Sequence, residues 1–234
     1  MATYVLVHGA WSGAHGFRHV RRRLQAQGHE VFTPSLTGIG ERVHLVSPQV
    51  DLTTHIDDVV NQILYEDLDG IVLLGFSYGG FVITGALEHI ADRVRHLVYL
   101  DAFVPGDGDS VVTVTGGTAG PGVIEVGGDW LVPPQPREFG GPAEAAWENA
   151  RRTPQPAGCF TEPVRLVRPL EDYPFSRTYI KATGEARPEP AGPFWAAADR
   201  AKQSPAWRCR EIATGHMVPV NRPEELARVL LELA

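Results

Sequence analysis

Cysteine is scarce. Cys159 and Cys209 are the only two in 234 residues and lie far apart in the chain. That excludes a disulfide framework and any C-x-x-C metal or redox pattern, and it reads as two structural thiols. Long hydrophobic runs are missing, which excludes a membrane-spanning helix. Positive charge is not in excess: 21 Lys and Arg stand against 28 Asp and Glu, for a net charge of −7. An acidic surface argues against nucleic acid and anionic membranes as partners and leaves a neutral small molecule open. A basic leader is also missing before Tyr4-Val5-Leu6-Val7, so a cytoplasmic location is the expectation. What remains is ordinary. With 43% hydrophobic and 21% charged residues, the chain suits one substantial core rather than disorder or two independent domains.

Short apolar runs at 3–8, 30–33, 71–76 and 94–100 read as buried strands. Between them, 15–27, 51–66 and 80–90 carry apolar residues at helical spacing, with Asp51, Thr53 or Thr54 placed to cap the second helix. Strand alternating with helix predicts a parallel sheet covered on both faces. From 105 to 174 the rhythm fails and Pro and Gly crowd the chain. Seventy residues are too many for a plain loop, so an inserted cap is expected there, with helices at 143–152 and 162–167. The rhythm resumes with strands at 177–182 and 207–213 and helices at 194–203 and 223–233. The expected organisation is a core of 1–104 plus 175–234, a cap of 105–174, and one structural domain.

Gly75-Phe76-Ser77-Tyr78-Gly79 is a G-x-S-x-G motif set between a predicted strand and a predicted helix. That context is what a nucleophile elbow requires. The sharp turn would project Ser77 Oγ at the carboxyl edge of the sheet, beside a helix N-terminus that favours negative charge. A serine hydroxyl needs a base to take its proton, and in such folds the chain order is serine, acid, histidine. Of nine histidines, only His216 follows the elbow in a loop, directly after the last strand. The acid should orient that imidazole. Glu185, after the penultimate strand, is the preferred candidate; Asp101, one strand earlier, is the rival. Oxyanion donors are expected from the N–H of Tyr78 and of Ala10, in the turn His8-Gly9-Ala10-Trp11.

Taken together, Val5-Leu6-Val7-His8-Gly9-Ala10-Trp11, the stretch from Pro34 to Arg42, the elbow with Tyr78-Gly79-Gly80, Leu100-Asp101-Ala102-Phe103-Val104-Pro105 and Gly215-His216 are familiar. They resemble the α/β-hydrolase branch that holds small bacterial esterases, plant methyl esterases of the salicylate-binding type and plant hydroxynitrile lyases. The resemblance implies a mostly parallel six-stranded sheet flanked by helices, a small cap before the penultimate strand, no cofactor or metal, and often a homodimer. It places the family's acid, in a Thr-x-Asp pattern, on Glu185. Lyase members need a hydroxyl after the first-strand histidine and a lysine after the catalytic one. Gly9 and Met217 stand there instead and match the esterase pattern.

By the same resemblance the cap gives the pocket apolar walls. Trp130, Phe160 and Phe103 are candidates, with Tyr78 and Leu36 from the core and Gly9, Trp11 and Met217 around the turn and the histidine. The expected activity is hydrolysis of small to medium apolar or aromatic carboxylic esters through an acyl-enzyme. A lactonase or hydroxynitrile-lyase-like enzyme is the alternative on the same scaffold, and a weakly catalytic ligand-binding protein the alternative from another class.

Overall fold

The run Ile71–Phe76 is buried at every position and forms β3, near the middle of a six-stranded sheet whose other members are β1 (Thr3–Val7), β2 (Glu30–Phe32), β4 (Val94–Leu100), β7 (Ser176–Ala182) and β8 (Trp207–Ile212). In the computed structural model, which describes residues 1–116, 130–134, 137 and 139–233, the strand order is β2-β1-β3-β4-β7-β8. Every pairing in it is parallel. Alternation along the strands sorts the core into two layers. Val5, Val7, Leu73 and Leu97 face one side; Tyr4, Leu6, Val72, Leu74 and Val98 face the other. The central strands therefore read as continuous apolar runs, while the edge strands β2 and β8 keep exposed positions.

Helices α1 (Arg18–Ala26), α2 (Leu52–Tyr65) and α3 (Gly79–Ile90) follow β1, β2 and β3. Asp51 caps α2: its carboxylate accepts from the Thr54 N–H at 2.8 Å, and Thr54 answers in a reciprocal capping box. Between β4 and β7 lies the insertion. It contains α4 (Val111–Val114), the antiparallel pair β5 (Leu131–Val132) and β6 (Gln155–Pro156), α5 (Pro142–Asn149) and α6 (Gly158–Thr161). The helix expected at 162–167 is not there: Pro163 disfavours the helical region for the residue before it, Glu162 is extended at φ −68° and ψ 127°, and the chain is irregular after α6.

The insertion is tied to the core through Trp11. Its backbone N–H donates to Gln155 Oε1 at 2.9 Å and its indole N–H to the Val132 carbonyl at 3.0 Å. Arg18 of α1 bonds Glu144 and Glu148 of α5 and stacks over Trp147 at 3.5 Å. The chain closes with α7 (Pro193–Gln203), α8 (Val218–Asn221) and α9 (Pro223–Leu231). Among the described residues no helix is long and apolar enough to cross a membrane.

Candidate active site

Ser77 leaves β3 in the left-handed region, with φ of 56°. A non-glycine residue there is strained and persists only where its surroundings fix it. They do. Ser77 N–H donates to the Leu100 carbonyl at 3.2 Å, and the Ser77 carbonyl accepts from Gly80 and Phe103 at 3.1 and 3.3 Å. The glycines of the motif allow the close approach: a Cβ on Gly75 would come 2.6 Å from the Gly79 carbonyl, and one on Gly79 would come 2.7 Å from that of Val7. In the run 71–80, Ser77 alone is partly exposed rather than buried.

His216 follows β8 and brings Nε2 to 3.0 Å from Ser77 Oγ. Its Nδ1 lies 2.7 Å from Asp101 Oδ2. A carboxylate only accepts, so Nδ1 carries the proton and Nε2 is left to accept from the serine. The ring is held between two aromatics, with Phe76 at 4.9 Å and Phe194 stacked at 5.0 Å and 7°. Burial lowers the His216 pKa, and the hydrogen bond and charge of Asp101 oppose it; the net direction is below the ordinary imidazole value.

The preference for Glu185 over Asp101 as the imidazole's partner does not match the geometry. Glu185 is exposed, and its Oε1 accepts from the backbone N–H of His216 at 3.1 Å, not from the ring. Asp101 ends β4 with φ of 41° and is 2% exposed. Its Oδ1 accepts from Lys181 Nζ at 2.6 Å and from Ala182 N–H at 3.2 Å, leaving Oδ2 for the histidine. Burial raises this carboxyl, but His216 and the Lys181 ammonium outweigh it and hold it below the usual range. Lys181 is itself buried, also donates to the Ala182 carbonyl at 2.6 Å, and packs 4.2 Å from the Trp195 ring.

A cavity of about 320 Å³ opens above Ser77 and His216. Ala10 and Tyr78 line it, and among the described residues nothing accepts from their backbone N–H groups. Trp11 and Phe103 line it. Leu36 and Phe160 do not: both are fully buried, Phe160 packing behind Trp11 and Tyr78. Trp130 is 41% exposed and lies off the cavity. Gly9 sits beneath Ser77, where a Cβ would come 2.9 Å from the serine's own, and with Met217 it lines a narrow crevice on the far side of the histidine.

Among the remaining walls are residues the sequence does not single out: Phe194 and Trp195 at the start of α7, Lys181, and Arg137 of the insertion. Also unflagged is a buried chain behind the elbow. Tyr78 Oη lies 3.0 Å from His55 Nδ1, and His55 Nε2 lies 2.8 Å from the Thr37 carbonyl. Burial pushes the His55 pKa down to about 4, so the ring is neutral and works as a strut. His8 does similar service: its Nδ1 reaches the Gly9 carbonyl and its Nε2 accepts from Leu36 N–H, tying the first turn to the second.

A profile of the alpha/beta hydrolase family matches residues 4–229. Over the whole length of both chains, 246 aligned positions, this chain is 39% identical to the carbendazim hydrolyzing esterase of a Nocardioides species. It is 30% identical to the alpha-hydroxynitrile lyase of Arabidopsis thaliana over 108 residues, 44% of this chain and 40% of that one. Among solved structures, it superposes on an extracellular alpha/beta-hydrolase from a Paenibacillus species, said to share structural and functional homology with tobacco salicylic acid binding protein 2. The TM-score is 0.83 at 26% identity, over 99% of this chain and 98% of that one. With a parallel six-stranded sheet, a serine at the strained turn after β3 and a full-length match to the family profile, the chain belongs to the alpha/beta hydrolase family.

Proposed function

We propose that this protein is a carboxylic-ester hydrolase that works through an acyl-serine. The observation that carries the reading is the hydrogen-bonded chain from Ser77 Oγ through His216 to Asp101 at the floor of the cavity. The esterase name of the full-length relative supports it. Ser77 Oγ attacks the ester carbonyl carbon while His216 Nε2 takes its proton. The N–H groups of Ala10 and Tyr78 receive the developing oxyanion. The imidazolium, steadied by Asp101, returns the proton to the departing alkoxide, which leaves as alcohol. Water then attacks the acyl-serine by the same route and releases the acid.

A 320 Å³ cavity with Phe103, Phe194 and Trp195 in its walls suits a small to medium ester with an apolar or aromatic part. Wild type is expected to hydrolyse p-nitrophenyl butyrate at neutral pH, and Ser77→Ala to lose that turnover. Equal rates from both proteins would remove Ser77 from the reaction.

The base must be neutral to act, and burial holds the His216 pKa below its ordinary value of 6.5. The rate kcat/KM is therefore expected to stay level from pH 8 to below 6.5 and then fall with a one-proton slope. A midpoint above 6.5 would contradict a buried, desolvated imidazole as the base.

A further inference from the structure

Among the described residues, Arg137 is the one cation of the insertion that lines both the cavity and the crevice beside Gly9, Ser77 and His216; Arg152 lines the crevice alone. It is partly buried. The carboxylates whose charge it feels are Glu185 and Asp101, yet both are engaged elsewhere. Asp101 holds His216, Lys181 and Ala182 N–H, and Glu185 Oε1 takes the His216 N–H. No hydrogen bond or ion pair joins the Arg137 guanidinium to another described residue. An arginine keeps its charge in any protein and presents five N–H donors in a planar fork. At the wall of a largely apolar cavity such a fork is open to an anionic group that enters. Arg152, over the Trp11 ring at 5.8 Å, adds a second positive charge on this side of the serine.

We propose that Arg137 binds a carboxylate on the substrate, so that the preferred esters are aromatic or short-chain esters carrying one free carboxylate. The inference rests on the esterase reading and narrows it. A planar carboxylate meets a guanidinium with two parallel hydrogen bonds, while Phe103, Phe194 and Trp195 take the apolar body. Glu185 sets the opposing term. Its carboxylate lines the same cavity but is exposed, so solvent screens its repulsion more than it screens the attraction of Arg137.

The experiment compares monomethyl terephthalate with methyl benzoate at pH 8, followed by proton release. Wild type is expected to favour the carboxylate ester in kcat/KM. In Arg137→Met the ratio of the two is expected to fall at least about tenfold, as for loss of a charge-assisted hydrogen bond. In Glu185→Gln, which keeps an oxygen for the His216 N–H, the ratio is expected to rise. A ratio that neither variant moves overturns the proposal. So does a wild type that favours the neutral ester. Calorimetry of terephthalate monomethyl ester on Ser77→Ala, with and without Arg137→Met, reads the site without turnover. Binding that needs Arg137, beside a wild type that hydrolyses neither ester, would keep the anion site and sink the esterase reading. Binding indifferent to Arg137 would sink the anion site alone.

Discussion

Asp101→Asn is expected to lower kcat for a neutral ester by about 10⁴-fold, the order seen when a triad aspartate becomes an amide, on top of a loss of stability from the Lys181 ammonium left without a carboxylate. The reason is the proton on the imidazole. As a carboxylate, Asp101 Oδ2 can only accept, so it fixes the proton on Nδ1 and leaves Nε2 free to take one from Ser77. An asparagine can present its NH₂ to Nδ1, and the ring then carries its proton on Nε2, facing the serine. The base is already occupied. Glu185→Gln tests the other assignment in the same assay. Its amide oxygen still accepts from the His216 backbone N–H, so kcat is expected to fall less than about tenfold. The reverse pattern, a crippled Glu185→Gln beside an active Asp101→Asn, would return the role to Glu185.

The second large effect concerns stability. Lys181→Met removes the ammonium that faces Asp101 at 2.6 Å inside the protein, where the lysine and the aspartate are 5% and 2% exposed. Breaking one half of a buried ion pair is costly because the remaining charge stays desolvated. His216 and the Ala182 N–H still hold the carboxylate, so the loss is expected at the lower end, about 3 kcal/mol, or roughly 6–12 °C in Tm for a chain of this size. The pH dependence has a definite sign. The Asp101 carboxyl is held below its ordinary range in the fold, so its contribution is present above the unfolded value and lost as pH falls through the folded one. Without Lys181 the folded value rises, and acid unfolding should begin at higher pH. Denaturant melts at neutral pH and in acid to below the ordinary carboxyl value of 3.8 measure both effects. Wild-type stability with an unchanged acid midpoint would mean that the pair contributes nothing net.

Most of the scaffold is legible in the sequence because its signals are local. Each strand is an apolar run of a few residues, and the elbow is five residues whose strand and helix adjoin it. His216 is found by order along the chain and by its place after the last strand. The acid is harder for a geometric reason. In a parallel sheet the loops after β4 and β7 leave by the same edge, so Asp101 and Glu185 both arrive near the histidine. Sequence alone does not say which side chain reaches Nδ1 and which the backbone. A further clue lies in Lys181: a lysine in a strand that is otherwise buried asks for a carboxylate beside it. The pocket is less legible still. Aromatics in the insertion are an obvious source of walls, but Phe160 is absorbed into packing against Trp11 and Tyr78. The stacking partner of the imidazole comes from Phe194 on α7, which carries no motif.

The imidazole clamped between Phe76 and Phe194 has a consequence for the order of events. Packing on those two rings holds the imidazole in one place, so under the proposed route both proton transfers use the same Nε2. Under the acyl-serine route, the alcohol must vacate that place before water can take it. The two compete for a single berth, and an added alcohol that outcompetes water there would collect the acyl group itself. Under that reading, the partition between alcohol and water would be set by occupancy of one position rather than by a second site.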